Sequence, residues 1–114
     1  MKLETFKKKI KETPTLVEFS ETMAVIDENY TFEPTAFTNG SLRNESGQNT
    51  GSCKLFAFAK KQALTKEETL ACFGSYYFDD VLKNPDGTGH QNIRNFMKAG
   101  FEELTFEKNP LEEK

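Results

Sequence analysis

Residues 37–42 read Phe37-Thr38-Asn39-Gly40-Ser41-Leu42. Asn-Gly is the preferred dipeptide of a type I′ hairpin turn. With Asn39 and Gly40 as a two-residue loop, Thr38 faces Ser41 and Phe37 faces Leu42. The two large apolar residues beside the turn then meet on one face, which supports that register. Pro34 has no amide proton to give a ladder, so the first strand is an edge or begins there. Beyond the turn the chain stays polar. Eleven of the fourteen residues from Asn39 to Ser52 are Asn, Gly, Ser, Gln or Thr. Most of this after Asn44 reads as loop, and a polar loop of that length within a compact domain is often functional.

Helical patterns flank the hairpin. Leu3, Phe6 and Ile10 define a short amphipathic helix over residues 3–12, with lysines on its outer side. Thr13-Pro14 breaks the chain and restarts it, and Leu16, Phe19, Met23, Ile26 and Tyr30 mark a second helix over about residues 15–29, with an interruption near Ser20. Residues 53–63 alternate in a way a strand could use, but their alanines, lysines and length favour a helix with Ser52 as its N-cap. Thr65-Lys66-Glu67-Glu68 is a capping box opening a helix striped by Leu70, Phe73, Tyr77 and Val81, with Gly74 inside it to permit a close backbone approach. Asn84-Pro85-Asp86-Gly87 is a turn. Thr88 and Gln91 form a second capping box, Ile93, Phe96 and Met97 face inward, and Gly100 stops the helix. Phe101, Leu104 and Phe106 suggest a last strand that joins the hairpin, and the acidic tail from Pro110 to Lys114 is expected to fray. The expectation is an α+β fold in which four or five helices pack on a small antiparallel sheet, the hairpin plus a C-terminal strand.

The 114 residues suit one domain, 1–114. A net charge of −3 and the absence of a basic stripe argue against nucleic acid. The cluster Lys7, Lys8, Lys9 and Lys11 reads as a solvated face. No apolar run approaches the roughly 20 residues of a membrane span, and the N-terminus lacks the apolar core of a secretory signal. Two cysteines and one histidine make neither a disulfide framework nor a zinc site, and they fit a reducing cytoplasm. No cofactor and no metal are expected. The eleven phenylalanines are expected to supply a small aromatic core.

The loop before residue 53 carries the candidate chemistry. Gln48, Asn49, Gly51, Ser52 and Lys54 form a candidate ligand-binding loop at a helix start, where free N–H groups and the positive end of the helix dipole favour an anion, with Arg43 also near in sequence. A loop satisfied by its own side chains is the blander reading. Cys53 at the first turn is a candidate nucleophile with a lowered pKa, His90 the sole imidazole base, Gln48 an oxyanion donor, and Asn92, Asn95 or Asp86 an orienting partner of His90. The Gln48 to Cys53 run loosely resembles the papain-like peptidases. The blander reading makes Cys53 a small buried residue and His90 a capped surface one. Cys72, between Ala71 and Phe73, reads as core. Tyr76, Tyr77 and Phe78 cannot all face one core, so at least one reaches the surface, where Asp79 and Asp80 give it an acidic rim.

Four stretches carry a wider resemblance: Glu18–Asp27, Gly47–Lys60, Glu68–Gly74 and His90–Met97. In that order and over about residues 5–107, the chain resembles the HopJ type III effector family. The resemblance implies a bacterial protein of uncharacterised biochemical activity, and its label implies delivery into a host cell. It carries over no catalytic residue. Residues 2–12 read as an ordered helix without serine, unlike the leaders of such effectors, so the N-terminus does not support secretion and the bacterial cytoplasm is the expected location. The functional expectation is a soluble binding or interaction protein, monomer or weak dimer, with a bacterial or host protein partner and with neither nucleic acid nor membrane. The alternative is a small cysteine-dependent hydrolase or acyltransferase using Cys53 and His90.

Overall fold

The computed structural model describes residues 2–114. Five α-helices and two small antiparallel sheets confirm the α+β fold. At its centre lies α3 (Thr50–Lys61), in which every residue from Leu55 to Ala59 is buried. A helix that is apolar on all sides needs cover on all sides. α2 (Phe19–Asn29), α4 (Lys66–Ala71) and strand β5 (Leu111–Glu113) provide it. α1 (Leu3–Glu12) packs Phe6 and Ile10 into the same core and ties itself to α2 through Lys9 Nζ, 2.8 Å from a carboxylate oxygen of Glu21.

β2 (Phe37–Asn39) is the central strand of a sheet ordered β3-β2-β4, with β3 at Leu42–Asn44 and β4 at Leu104–Phe106. α5 (Gln91–Ala99) lies against it. The hairpin is where the dipeptide places it, but one register step away. Asn39 pairs with Leu42, Thr38 with Arg43 and Phe37 with Asn44, so the loop is Gly40-Ser41. Gly40 takes φ +63°, the glycine-first pattern that two-residue hairpins also use. Tertiary bonding sets this register. Asn39 is drawn into the strand because its amide donates to Asn92 O at 2.7 Å and to Asn92 Oδ1 at 3.1 Å.

The predicted second helix is broken. Pro14–Leu16 is a single 3-10 turn, the chain extends at Val17, and α2 starts after Glu18, which forms a capping box with Glu21. The predicted long fourth helix ends at Ala71, and the chain turns through Gly74, whose φ is +61°. A wide π-helical turn follows over Tyr76–Val81. The tail does not fray at its apolar residue: β5 pairs with β1 (Tyr30–Phe32), and Leu111 is fully buried. Among the described residues no helix is long and apolar enough to cross a membrane.

Candidate functional site

Two helices begin on the wall of one cavity. It measures about 490 Å³ and is lined by Asn49, Gly51 and Ser52 of α3, by His90, Gln91, Asn92 and Ile93 of α5, and by Phe19, Leu42, Phe73 and Tyr76. An α-helix leaves its first N–H groups without intrahelical acceptors. Here no side chain caps them either: Asn49 and His90, the two N-cap residues, make no capping bond. The N–H groups of Thr50, Gly51, Ser52, Gln91, Asn92 and Ile93 have no acceptor among the described residues. The positive ends of both helix dipoles therefore point toward the same space.

Both N-cap residues also take left-handed backbone, with φ 49° at Asn49 and 55° at His90. Asparagine tolerates that conformation and histidine adopts it at a cost. His90 is instead held from outside its helix. Its ring lies 5.2 Å from the Tyr76 ring, and its Nε2 is 3.1 Å from Asp80 Oδ2. Tyr76 and Asp80 both belong to the π-helical turn, one winding apart. π-Turns often occur at functional sites. With Nε2 committed to Asp80, the neutral tautomer leaves Nδ1 as the basic nitrogen.

Two glycine contacts build the cavity floor. A Cβ on Gly51 would stand 2.9 Å from Phe19 Cζ, so the start of α3 sits against the edge of that ring. A Cβ on Gly74 would stand 2.9 Å from Phe19 N and 3.0 Å from Val17 O. Phe19 is thereby fixed between α3 and α4. It stacks on Phe73 at 6.2 Å and meets Tyr76 edge-on at 5.3 Å. The aromatic series runs Phe73, Phe19, Tyr76, His90.

Buried asparagines brace the α5 wall. The Asn92 amide donates to Asn44 Oδ1 at 2.9 Å, while Asn92 Oδ1 accepts from both Asn39 and Asn44. Asn49 Nδ2 adds a 2.6 Å bond to Asn44 Oδ1, linking the start of α3 to the same cluster. Asn92 and Asn95 are thus occupied with the hairpin, since Asn95 Nδ2 donates to Asn39 O at 3.3 Å. Neither they nor Asp86 orients His90; Asp80 does.

Of the predicted loop, Asn49, Gly51 and Ser52 reach the cavity, and the others do not. Gln48 turns back so that its Oε1 accepts the Glu45 N–H at 3.0 Å, and it does not line the cavity. Lys54 pairs with Asp27 at 3.0 Å and covers the Phe32 ring. Arg43 pairs with Glu45 and Glu107. Cys53 departs most from expectation. The helix starts at Thr50, so Cys53 lies past the uncapped turn, with its own N–H already bonded to Asn49 O. The thiol is 2 % exposed and is not part of the cavity wall. Burial pushes it up to about 11, and a backbone hydrogen bond at Thr35 offsets this only in part. An acidified, accessible thiol is absent from this position. Cys72 is core, its thiol pushed up to about 12 by burial. The second capping box also differs: Gln91 donates to Thr88 O, and the helix begins at Gln91 with His90 as its cap. Tyr76 is 42 % exposed, while Tyr77 and Phe78 are half-buried.

Fold and cavity together define a small α+β protein with one aromatic-floored, polar-rimmed site at paired helix starts. The chain belongs to the HopJ type III effector protein family, which it matches over residues 3–111. It is similar to a solved structure, the crystal structure of the unknown-function protein VPA0580. The two share 51% identity and superpose with a TM-score of 0.97, over 100% of this chain and 95% of the other. No curated protein matches it.

Proposed function

We propose that this chain is a binding protein and that its ligand occupies the cavity between the starts of α3 and α5. One observation carries this reading: two uncapped helix starts share a cavity whose floor is aromatic and aliphatic. The volume of about 490 Å³ is that of a small-molecule or side-chain pocket. Phe19, Phe73, Leu42 and Ile93 suit an apolar body, and the unpaired N–H groups suit an acceptor or anionic head. Among the described residues no lysine or arginine lines it, and each helix end acts as roughly half a positive charge. A single negative charge matches that field better than a phosphate dianion does. The four stretches that carry the family resemblance supply the site: Phe19, then Asn49, Gly51 and Ser52, then Phe73, then His90 to Ile93. The ligand is a small amphipathic acid or the corresponding group of a protein partner, recognised by one domain spanning the chain. The family relationship favours a bacterial protein that works in the cytoplasm of its own cell or of a host.

Amide NMR titration with 4-phenylbutyrate, its amide and its alcohol tests the reading. Shifts centred on Gly51, Ser52, Asn92 and Ile93 are expected, saturable and strongest for the acid. Shifts confined to the open groove beside Leu16 and Phe78, or none with any of the three, would overturn it.

A further inference from the structure

We infer that the cavity also does chemistry: Ser52 is a nucleophile, His90 its general base and Asp80 the residue that positions His90, acting on an ester of an apolar acid. The inference rests on the cavity being a ligand site, and three further observations carry it. First, Ser52 lines the cavity, and its hydroxyl has no hydrogen-bond partner among the described residues. Second, the imidazole is held as a base must be. Asp80 Oδ2 takes Nε2 at 3.1 Å and the Tyr76 ring lies 5.2 Å away at a tilt of 36°, leaving Nδ1 to accept a proton. A carboxylate in that place fixes the tautomer and stabilises the imidazolium that forms. Third, His90 is a poor local choice. It is an N-cap residue that makes no cap, in a left-handed conformation that glycine or asparagine adopts more cheaply. A residue that breaks two local rules and whose side chain bonds outward to a carboxylate of the π-helical turn fits a functional role.

The step is balanced. Ser52 Oγ bonds to the acyl carbon as its proton passes to His90 Nδ1. The oxyanion forms beside unpaired first-turn N–H groups, the arrangement that stabilises tetrahedral intermediates. The ester C–O bond breaks, and the imidazolium returns the proton to the departing alcohol. Water, deprotonated by the same nitrogen, then attacks the acyl-serine; the acyl–Oγ bond breaks, the imidazolium returns the proton to Ser52 Oγ, and the acid is released. Ester and water become acid and alcohol, with the enzyme restored. Ser52 and His90 share no hydrogen bond in this structure. The first step requires Ser52 Oγ and His90 Nδ1 to come within hydrogen-bond reach in the substrate complex, and such bonds commonly tighten only around the substrate.

The full chain is treated with p-nitrophenyl butyrate and, separately, with a fluorophosphonate, and adducts are mapped by peptide mass spectrometry. One adduct, at Ser52, is expected. Turnover should fall at least about 100-fold in Ser52→Ala and in His90→Gln. Asp80→Asn should reduce it less, and Asp80→Glu less still, because a carboxylate at this place positions the imidazole. Ser52→Cys should transfer modification to the substituted side chain, by iodoacetamide at neutral pH, and this holds the test open should the alanine variant fold poorly. Adducts elsewhere, turnover that survives Ser52→Ala, or an Asp80→Glu variant no more active than Asp80→Asn would overturn the inference. If 4-phenylbutyrate still shifts the cavity amides while Ser52 takes no adduct, the catalytic inference falls and the binding reading stands. If neither occurs, both fall.

Discussion

Replacing Gly74 with alanine should destabilise the protein by about 3 kcal/mol, from two separable causes. The residue has φ +61°, where an L-residue with a Cβ costs about 1–2 kcal/mol. The added methyl would also stand 2.9 Å from Phe19 N, 3.0 Å from Val17 O and 3.2 Å from Glu18 Cα. All three are backbone atoms, so no side chain can swing aside, and over-packing of this kind adds about 1–3 kcal/mol. Gly47 is the internal control. Its φ is +89°, yet nothing lies within 4 Å of its Cβ position, so Gly47→Ala should lose only the conformational part, about 1–2 kcal/mol. Urea unfolding measures both. For a chain of this length about 4 °C of Tm accompanies each kcal/mol, so calorimetry should place Gly74→Ala about 12 °C below the parent. The extended segment leading into Phe19 must shift to admit the methyl. NMR of the folded fraction should therefore show displaced amides at Gly51 and Ser52, across the cavity. Equal losses in the two variants would refute the reasoning, since the contact with residues 17–19 would then contribute nothing.

Three further outcomes are expected. Both thiols have pKa values above their ordinary value of 9.0, at about 11 for Cys53 and about 12 for Cys72. Their contribution is intact below pH 9. Above it the unfolded chain loses protons that the folded chain keeps, so stability falls by about 1.4 kcal/mol per pH unit for each thiol, up to the folded value. Urea midpoints from pH 8 to 10.5 should fall less steeply in Cys72→Ala than in the parent, and an unchanged slope would count against the burial assignment. Ala63→Gly should raise stability by about 0.5–1 kcal/mol, because Ala63 has φ 53° beyond the end of α3 while the Leu64 N–H closes back on Ala59 O, a site glycine occupies more cheaply. A lower Tm in that variant would contradict it. Leu111→Ala should cost about 3 kcal/mol by calorimetry, since the side chain is fully buried, whereas a cost near zero would return the tail to the frayed state its sequence suggests.

The elements legible in the sequence are those whose local signals and burial agree. α1 runs over the residues its Leu3, Phe6 and Ile10 stripe marks, because a helix on the outside of a domain buries one face only. The Thr65–Glu68 capping box forms as read, with Glu68 N to Thr65 Oγ1 at 3.1 Å and Thr65 N to Glu68 Oε1 at 2.8 Å. Elsewhere a distant partner outweighs the local preference. Asn39-Gly40 favours a turn at those two positions, but the buried bonds from Asn39 to Asn92 are worth more when the alternative is an unpaired buried amide. Glu112 and Glu113 read as solvent, and they are exposed, yet their backbone completes a ladder with β1 because Leu111 is anchored beneath it. Gly74 signals a close approach correctly, while the end of the helix there follows from residues 17–19, more than fifty positions away.

The candidate site turns on a finer point, the residue at which α3 begins. Successive helical side chains are rotated by about 100°, so the residue at which the helix begins decides which sides of it Ser52 and Cys53 occupy. Reading Ser52 as the cap puts Cys53 at the open end of the helix, in the field of the dipole. With Asn49 as the cap, Ser52 occupies the uncapped first turn and Cys53 is carried round into the core with Leu55 and Phe56. The cap is not a side-chain preference legible in the Gln48-Asn49-Thr50-Gly51 run. It is imposed by Asn49, whose amide is held by Asn44 at 2.6 Å, and by Gly51, whose missing side chain lets the Phe19 ring close against the turn. The same contacts that decide which residue faces the cavity also build its floor. A larger residue at Gly51 would therefore alter the depth of the site and the setting of Ser52 together, and the chemistry of the α3 start cannot be separated from the packing of α2 beneath it.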